Sequence, residues 1–323
     1  MAKERVLITG GAGYIGSYVN KLLAENGYET CVLDNLSRGN RAAVSTPHFV
    51  LGDIGDQKLL SNLLSSNNFD ACLHFAALTD VGESVRDPQL TYENNVTKSI
   101  TLFDTLINHG VKNIIFSSSA AIFGAPEEKI INEMHPKVPI NPYGKSKLIV
   151  EQILEDYHHA YSLNSCSLRY FNAAGGDPSG KIALSHKLTN VLPVILRSIK
   201  KDEPFPLFGN DYDTYDGTCV RDYIHIHDLA TAHLLALEKL LKKPGYYTYN
   251  LGNGRGFSLL EVVEAAKKAT GQTIRYQIAP RRPGDPPFLV ADATKAKQDL
   301  CWTPQYPSME RIIEDAYRVS LSA

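Results

Sequence analysis

Short apolar runs alternate with amphipathic stretches through the first half of the chain. Residues 6–9, 30–33, 48–51, 71–76, 113–116 and 165–170 are runs of the kind that a parallel sheet buries on both faces. Between them, residues 17–25, 57–64, 88–109 and 142–161 carry apolar side chains at helical spacing. In the long stretch these are Leu90, Val96, Ile100, Phe103 and Leu106. The repeated alternation predicts an α/β fold built on a doubly wound parallel (Rossmann) sheet. Ligands of such sheets lie beyond the carboxyl ends of the strands. The glycine run 10–16, Asp34, Asp53, Ser119 and Asn172 all fall there and are expected to line one crevice.

Composition changes after Asn172. Residues 173–185 are rich in Gly, Pro, Ser and Asp and read as a loop leaving the sheet, and a helix over 186–200 opens a smaller region. The expected division is 1–172 for the Rossmann domain and 173–323 for a C-terminal α/β substrate-binding region. Elements around 216–254 are free to return to the first sheet.

At 323 residues the chain has ample core for this arrangement, and 43% hydrophobic with 21% charged residues is the make-up of a soluble globular protein. Thirty-three basic residues against 35 acidic ones, a formal charge of -2, give no footprint for nucleic acid and no polybasic membrane patch. The five cysteines lack any C-x-x-C spacing, so neither zinc nor a disulfide framework is indicated. No stretch is apolar enough to span a bilayer, and the first strand begins by Arg5, so a cytoplasmic location is expected.

Two motifs carry chemistry. Gly10-Gly11-Ala12-Gly13-Tyr14-Ile15-Gly16 lies between the first strand and first helix and satisfies G-x-G-x-x-G. Such glycines allow a tight turn and let backbone N–H groups approach a pyrophosphate at the helix start. Asp34, ending the second strand, suits the adenine ribose hydroxyls and would repel an added phosphate, which favours NAD over NADP. Further on, Asn141-Pro142-Tyr143-Gly144-Lys145-Ser146-Lys147 opens a helix: Asn141 is a good cap and Pro142 a good first residue. Tyr143 and Lys147 stand one turn apart on one side, where an ammonium favours the phenolate and prepares the tyrosine to exchange protons.

The glycine motif, the run Ser117-Ser118-Ser119 at a strand end, and Tyr143-x-x-x-Lys147 resemble the extended short-chain dehydrogenase/reductases. Within that group, Asp34-Asn35-Leu36, Val81-Gly82-Glu83-Ser84-Val85, Tyr92-Glu93-Asn94-Asn95-Val96, Leu168-Arg169-Tyr170-Phe171-Asn172, and the run from Asp216 to His225 resemble the UDP-glucose 4-epimerase family. Asn250-Leu251-Gly252-Asn253-Gly254 and Arg281-Arg282-Pro283-Gly284-Asp285 extend the likeness toward Trp302.

The resemblance implies roles by position. Tyr143 would be the acid/base on the sugar's 4-hydroxyl, Lys147 would lower its pKa and hold the nicotinamide ribose, and Ser119 would bond the same oxygen. Gly10, Gly13, Tyr14, Ile15, Gly16, Asp34, Asn35, Ser37, Asp53, Ile54, Phe75, Ala76, Ala77, Asn95, Ser117 and Tyr170 match positions around NAD. Asn172, Asn190, Phe208, Arg221, Arg282 and Asp285, with Ser119 and Tyr143, match positions that hold the UDP-sugar. As planar guanidinium groups, Arg221 and Arg282 suit a pyrophosphate. A homodimer through the helices 88–109 and 142–161 is the family's usual state.

Other readings are weaker. A nucleotide-sugar 4,6-dehydratase would want an Asp-Glu pair where this chain has Ala120 and Ala121, and a decarboxylase would also want a carboxylate there. A non-catalytic NAD-sensing protein commonly lacks the tyrosine or lysine present here. His225-x-His227-Asp228 reads as structural, with no metal expected; His158-His159 reads as a surface pair, and Asp211, Asp213 and Asp216 as a solvated turn. Ala121 and Phe123 replace common hydroxyl-bearing residues, and Thr79 and Asp80 depart from the usual loop near the sugar. Leu289 stands where side-chain size bears on N-acetylhexosamines, so the choice among UDP-glucose/galactose, the N-acetyl pair and UDP-pentoses stays open.

Overall fold

A computed structural model describes residues 4–180, 182, 190–282 and 285–321. The strands Arg5–Thr9, Glu29–Asp34, Phe49–Leu51, Ala71–His74 and Asn113–Ser119 pair in parallel. With Asn164–Tyr170 and Tyr246–Leu251 they form a seven-stranded sheet. In sequence order of its members the sheet reads 7-6-5-4-1-2-3, the doubly wound pattern in which strand order reverses beside the first strand. Leu7, Leu33, Leu73 and Ile114 on these strands are fully buried, as strands covered by helices on both faces require.

The expected helices form with small shifts of boundary. Tyr14–Glu25 begins earlier than its apolar pattern, because Gly13 turns the chain directly into the helix. Pro142–Tyr161 starts as its caps dictate: the Asn141 side chain accepts from the Gly144 N–H at 2.8 Å, and Pro142 occupies the first turn. The stretch 88–109 is not one uniform helix. It runs as Pro88–Tyr92, a π-turn Glu93–Thr97, and Lys98–Asn108. The π-turn turns Asn95 inward, where its amide accepts from the Leu78 N–H at 2.8 Å and donates to the Leu78 carbonyl at 2.9 Å. A tertiary bond of this kind leaves no mark on hydrophobic periodicity. Val81–Arg86 adds a short helix capped by Asp80, which accepts from Glu83 N–H at 2.7 Å.

The chain divides into two compact units, and no single cut at 172 separates them. Unit 1 holds 4–122, 139–169 and 230–249; unit 2 holds 123–138, 170–229 and 250–321 among the described residues. The last helical turns before Lys242 and the strand from Tyr246 thus return to the first unit. In unit 2, Gly256–Ser258, Val220–His225, Phe288–Ala291 and Ile130–Ile131 form a small sheet, with Asn172–Ala174 beside Val220–His225. The helices Val191–Lys201, Leu259–Thr270 and Met309–Leu321 pack around a core that includes Leu192, Phe205, Val262 and Ile312. The expected helix start at 186–189 lies outside the described residues, as do Pro283 and Gly284 of the motif that begins at Arg281.

Candidate active site

In unit 1 the first strand delivers the chain into Gly10 at φ +72°, where a Cβ would come within 2.5 Å of the Ala76 nitrogen. A Cβ on Gly16 would meet the Gly10 carbonyl oxygen at 2.5 Å. These two contacts explain why the turn can sit against the end of the neighbouring strand and flow straight into a helix. That helix starts with no side-chain cap and no acid in its first turn, so its leading N–H groups suit an anion.

Gly10, Gly13, Asp34, Asn35, Ser37, Asp53, Ile54, Phe75, Ala76 and Ala77, all named from the sequence, line one cleft at the strand ends. Arg38, Gly39, Leu78 and Asn94 line it too and were not foreseen. Asp34 accepts from the N–H groups of Ala12 at 3.0 Å and Leu36 at 2.8 Å, which fixes its carboxylate at the cleft. Burial would raise the Asp53 carboxyl. Hydrogen bonds from Gly55 N–H, Lys98 and Asn35, at 2.8, 2.9 and 2.9 Å, hold it below the ordinary range instead. Arg38 clasps both oxygens of Glu83 at 2.6 and 2.7 Å. A close-approach glycine turn, an uncapped helix start and a strand-end carboxylate together fit a dinucleotide.

Other predicted cofactor residues sit outside the cleft's lining. Tyr14, Ile15 and Gly16 form the first helical turn. Asn95 is engaged by Leu78 and by Ser146 at 3.2 Å, so it supports the cleft's rim while Asn94 faces the space. Ser117 contributes its carbonyl to Lys147, as described next. Tyr170, a buried strand-end residue, belongs to unit 2.

Ser119, Tyr143 and Lys147 are brought together in unit 1 by the strand Asn113–Ser119 and the helix Pro142–Tyr161. Gly144 permits the approach, since a Cβ there would stand 2.4 Å from the Ala121 carbonyl oxygen. Ser119 Oγ accepts from the Ala121 N–H at 3.2 Å, which leaves its own proton for the Tyr143 phenol. The Lys147 ammonium donates to the Ser117 carbonyl at 2.7 Å and lies 5.9 Å from the Tyr143 ring centre.

Burial raises the Tyr143 phenol, and the Ser119 hydrogen bond opposes that rise. Lys147 is itself desolvated: burial carries it from 10.5 down to about 7, against the opposing charge of Glu151.

In unit 2, Phe208, Arg221, Arg282 and Asp285 also form a group. Arg221 Nη2 stands 3.3 Å from Asp285 Oδ1, the Arg282 guanidinium lies 4.1 Å above the Phe208 ring, and Asp285 N–H donates to the Arg282 carbonyl at 3.2 Å. Arg221 is buried, and its Nη2 makes no hydrogen bond among the described residues. Asn172 donates to the Asp222 carbonyl at 3.0 Å, and Asn190 heads the helix Val191–Lys201 without capping it. Leu289 pairs in register with Arg221. Phe123 is buried edge-on to His135.

The histidine pair near 225 is bound up in the fold. His225 accepts from His227 N–H at 3.0 Å, stacks on Tyr306 and faces Asp315 at 3.5 Å; Asp228 accepts from Gln305 and Tyr306 N–H groups. Sequence reading missed Asp222, a buried carboxyl raised by burial to about 6 despite accepting from the Asn253, Gly254 and Ala291 N–H groups. It also missed the buried set Ser118, Glu151 and Arg169. Glu151, on a helix among other charges, looks like a surface residue until the strand bearing Arg169 is placed beside it.

Residues 6–252 match the NAD dependent epimerase/dehydratase family. The chain is 46% identical to a UDP-glucose 4-epimerase of Halalkalibacterium halodurans over 314 residues, covering 97% of this chain and 94% of that protein. The structure of UDP-glucose 4-epimerase from Brucella ovis in complex with NAD superposes with a TM-score of 0.95 at 42% identity, covering 98% of each chain. That of the Bifidobacterium longum enzyme in complex with NAD+ and UDP gives 0.93 at 38% identity, again with 98% of each chain covered.

Proposed function

The chain belongs to the NAD dependent epimerase/dehydratase family, and we propose that it is a UDP-glucose 4-epimerase interconverting UDP-galactose and UDP-glucose with tightly bound NAD. The observation that carries this reading is the convergence of Ser119 and Lys147 around Tyr143 at the end of a strand of the NAD-type sheet. Bound NAD supplies reversible oxidation at carbon 4 of the sugar.

The protein's residues do the rest. Tyr143 takes the proton from the 4-hydroxyl and later returns it. Ser119, its Oγ fixed by Ala121 N–H, donates to the tyrosine oxygen and stabilises it when charged. The raised pKa of Tyr143 in the protein alone means that a nearby positive charge must favour the phenolate at neutral pH, and the ammonium of Lys147 is one such charge. Asp34 takes the adenine ribose hydroxyls, and the glycine turn takes the pyrophosphate. In unit 2, Arg221 and Arg282 take the UDP phosphates, Phe208 lies along the uracil, and Asp285 takes the uridine ribose, with Asn172 and Asn190 toward the diphosphate. Binding energy placed on UDP leaves the hexose free to present either face.

The 4,6-dehydratase reading gains no support, since the turn Ala120–Phe123 carries no carboxylate. Leu289, half-buried beside Arg221 on the strand Phe288–Ala291, keeps UDP-N-acetylhexosamines as a second substrate class. We also infer a homodimer formed through the stretches 88–109 and 142–161, supported by the exposure of Leu90 and Tyr161 on them, and a cytoplasmic place in galactose metabolism. Among the described residues no helix is long and apolar enough to cross a membrane.

Proton NMR of UDP-galactose incubated with the purified protein and no added cofactor tests the proposal. Appearance of UDP-glucose is expected, and UDP-N-acetylgalactosamine run alongside reads what Leu289 admits. Absence of conversion with NAD released on denaturation would overturn this substrate assignment.

A further inference from the structure

Beneath the proposed acid/base group lies a second set of charges that takes no part in the chemistry as described. Glu151 and Arg169 are each 2% exposed, and they meet in a forked contact: Arg169 Nε donates at 3.0 Å to Oε1 and Arg169 Nη2 at 2.7 Å to Oε2. Ser118, 1% exposed, donates to Glu151 Oε1 at 2.5 Å. Burying such a pair stabilises a fold little compared with apolar residues of the same volume. Its location is the informative part. Glu151 is one helical turn beyond Lys147 on the same face, and Ser118 lies between Ser117, whose carbonyl receives the Lys147 ammonium, and Ser119, which serves Tyr143.

We propose that Glu151, clasped in a forked contact by Arg169, is a positioning residue that supports the charge of Lys147 and pins the strand end Ser117–Ser119 through Ser118. The inference rests on the role given above to Tyr143 and Lys147. Among the described residues, the groups facing Lys147 are the Tyr143 phenol and Glu151 on its own helix, the Ser117 carbonyl and Phe116 ring on the strand Asn113–Ser119, and His74 on the strand Ala71–His74. Burial keeps His74 neutral, with its pKa lowered to about 3. Of these the carboxylate of Glu151 is the negative charge, and its attraction opposes the desolvation of the ammonium. The bond from Ser118 makes the same carboxylate a mechanical link between the helix of Tyr143 and the strand of Ser119.

The test uses the full-length protein carrying its own cofactor, with lysine side chains labelled at carbon ε and the Lys147 signal assigned through Lys147→Met. In Glu151→Gln the Lys147 titration midpoint should move acidward by about one pH unit or more. Turnover at neutral pH should fall about tenfold while KM for UDP-galactose changes less than about twofold. Because Glu151→Gln removes the carboxylate that faces a buried arginine, Glu151→Gln combined with Arg169→Met provides the folded comparison. It should show the acidward shift with its melting temperature largely recovered. Ser118→Ala should lower turnover without moving the lysine midpoint, and Ser118→Thr should restore it. A folded double variant whose Lys147 titrates where the parent's does would overturn the proposal. The NMR midpoint is read whether or not the protein epimerises UDP-galactose, so failure of the substrate assignment would be seen separately.

Discussion

The Lys147 ammonium donates to the Ser117 carbonyl at 2.7 Å, tying the helix that carries Tyr143 to the strand that carries Ser119. The lysine therefore acts on geometry as well as on charge. Its contact with the strand end holds serine and tyrosine in register, while burial weakens the charge it can bring to the phenol.

Loss of the phenol should separate chemistry from cofactor retention. Tyr143→Phe keeps the ring's packing and removes the exchangeable proton, so turnover should fall by about a hundredfold or more. NAD released on denaturation should remain near one equivalent per chain. Activity close to that of the parent would remove Tyr143 from the proton transfer.

The cleft residues should behave in the opposite way. Asp34→Ala should lower NAD content, because it removes the carboxylate fixed by the Ala12 and Leu36 N–H groups. Gly10→Ala should be worse, since its Cβ would strike Ala76 while φ stays positive, a strain of about 1 kcal/mol or more before any contact is counted. Absorbance of the released nucleotide measures both, and full NAD content in Asp34→Ala would refute the reading of that strand end.

Arg282 stacks on Phe208 at the surface and is given a phosphate-binding role. Arg282→Ala should raise KM for the UDP-sugar about tenfold or more, in keeping with a lost charge-assisted hydrogen bond, and change kcat much less. Steady-state kinetics decides this, and a fall confined to kcat would place the arginine elsewhere in the mechanism.

His74 sets an acid limit on stability. It is buried between Thr9 Oγ1 at 2.7 Å and Ser99 Oγ at 2.9 Å, and desolvation, with a smaller effect of Lys147, lowers it from 6.5 to about 3. The unfolded chain takes up this proton below about pH 6.5 while the folded protein refuses it. Stability from His74 is therefore complete above that pH and declines as pH falls toward 3. Denaturant titrations should show His74→Gln less stable than the parent at pH 7, with the gap narrowing by about pH 4. A constant gap would exclude this linkage.

Much of unit 1 was legible in the chain because its signals are local. Apolar runs, a glycine turn, an Asn-Pro helix start and a Tyr-x-x-x-Lys pair each act within a few residues, and they determined the strands, the main helices and the proposed acid/base group. The resemblance added the residues of unit 2, which no periodicity could have chosen.

Tertiary structure decided what depends on partners far along the chain. Residues 230–249 join the first unit although they follow the residues of the second, because the strand Tyr246–Leu251 finds its place at the edge of the large sheet. Asn95 leaves the helical pattern to bond Leu78, and Glu151 turns from an apparent surface charge into a buried ion through Arg169. The directions in which Tyr143 and Lys147 shift arise in the same way. Sequence spacing brings the two together, but desolvation, which sets the direction of both shifts, arises only when the strands and helices close around them.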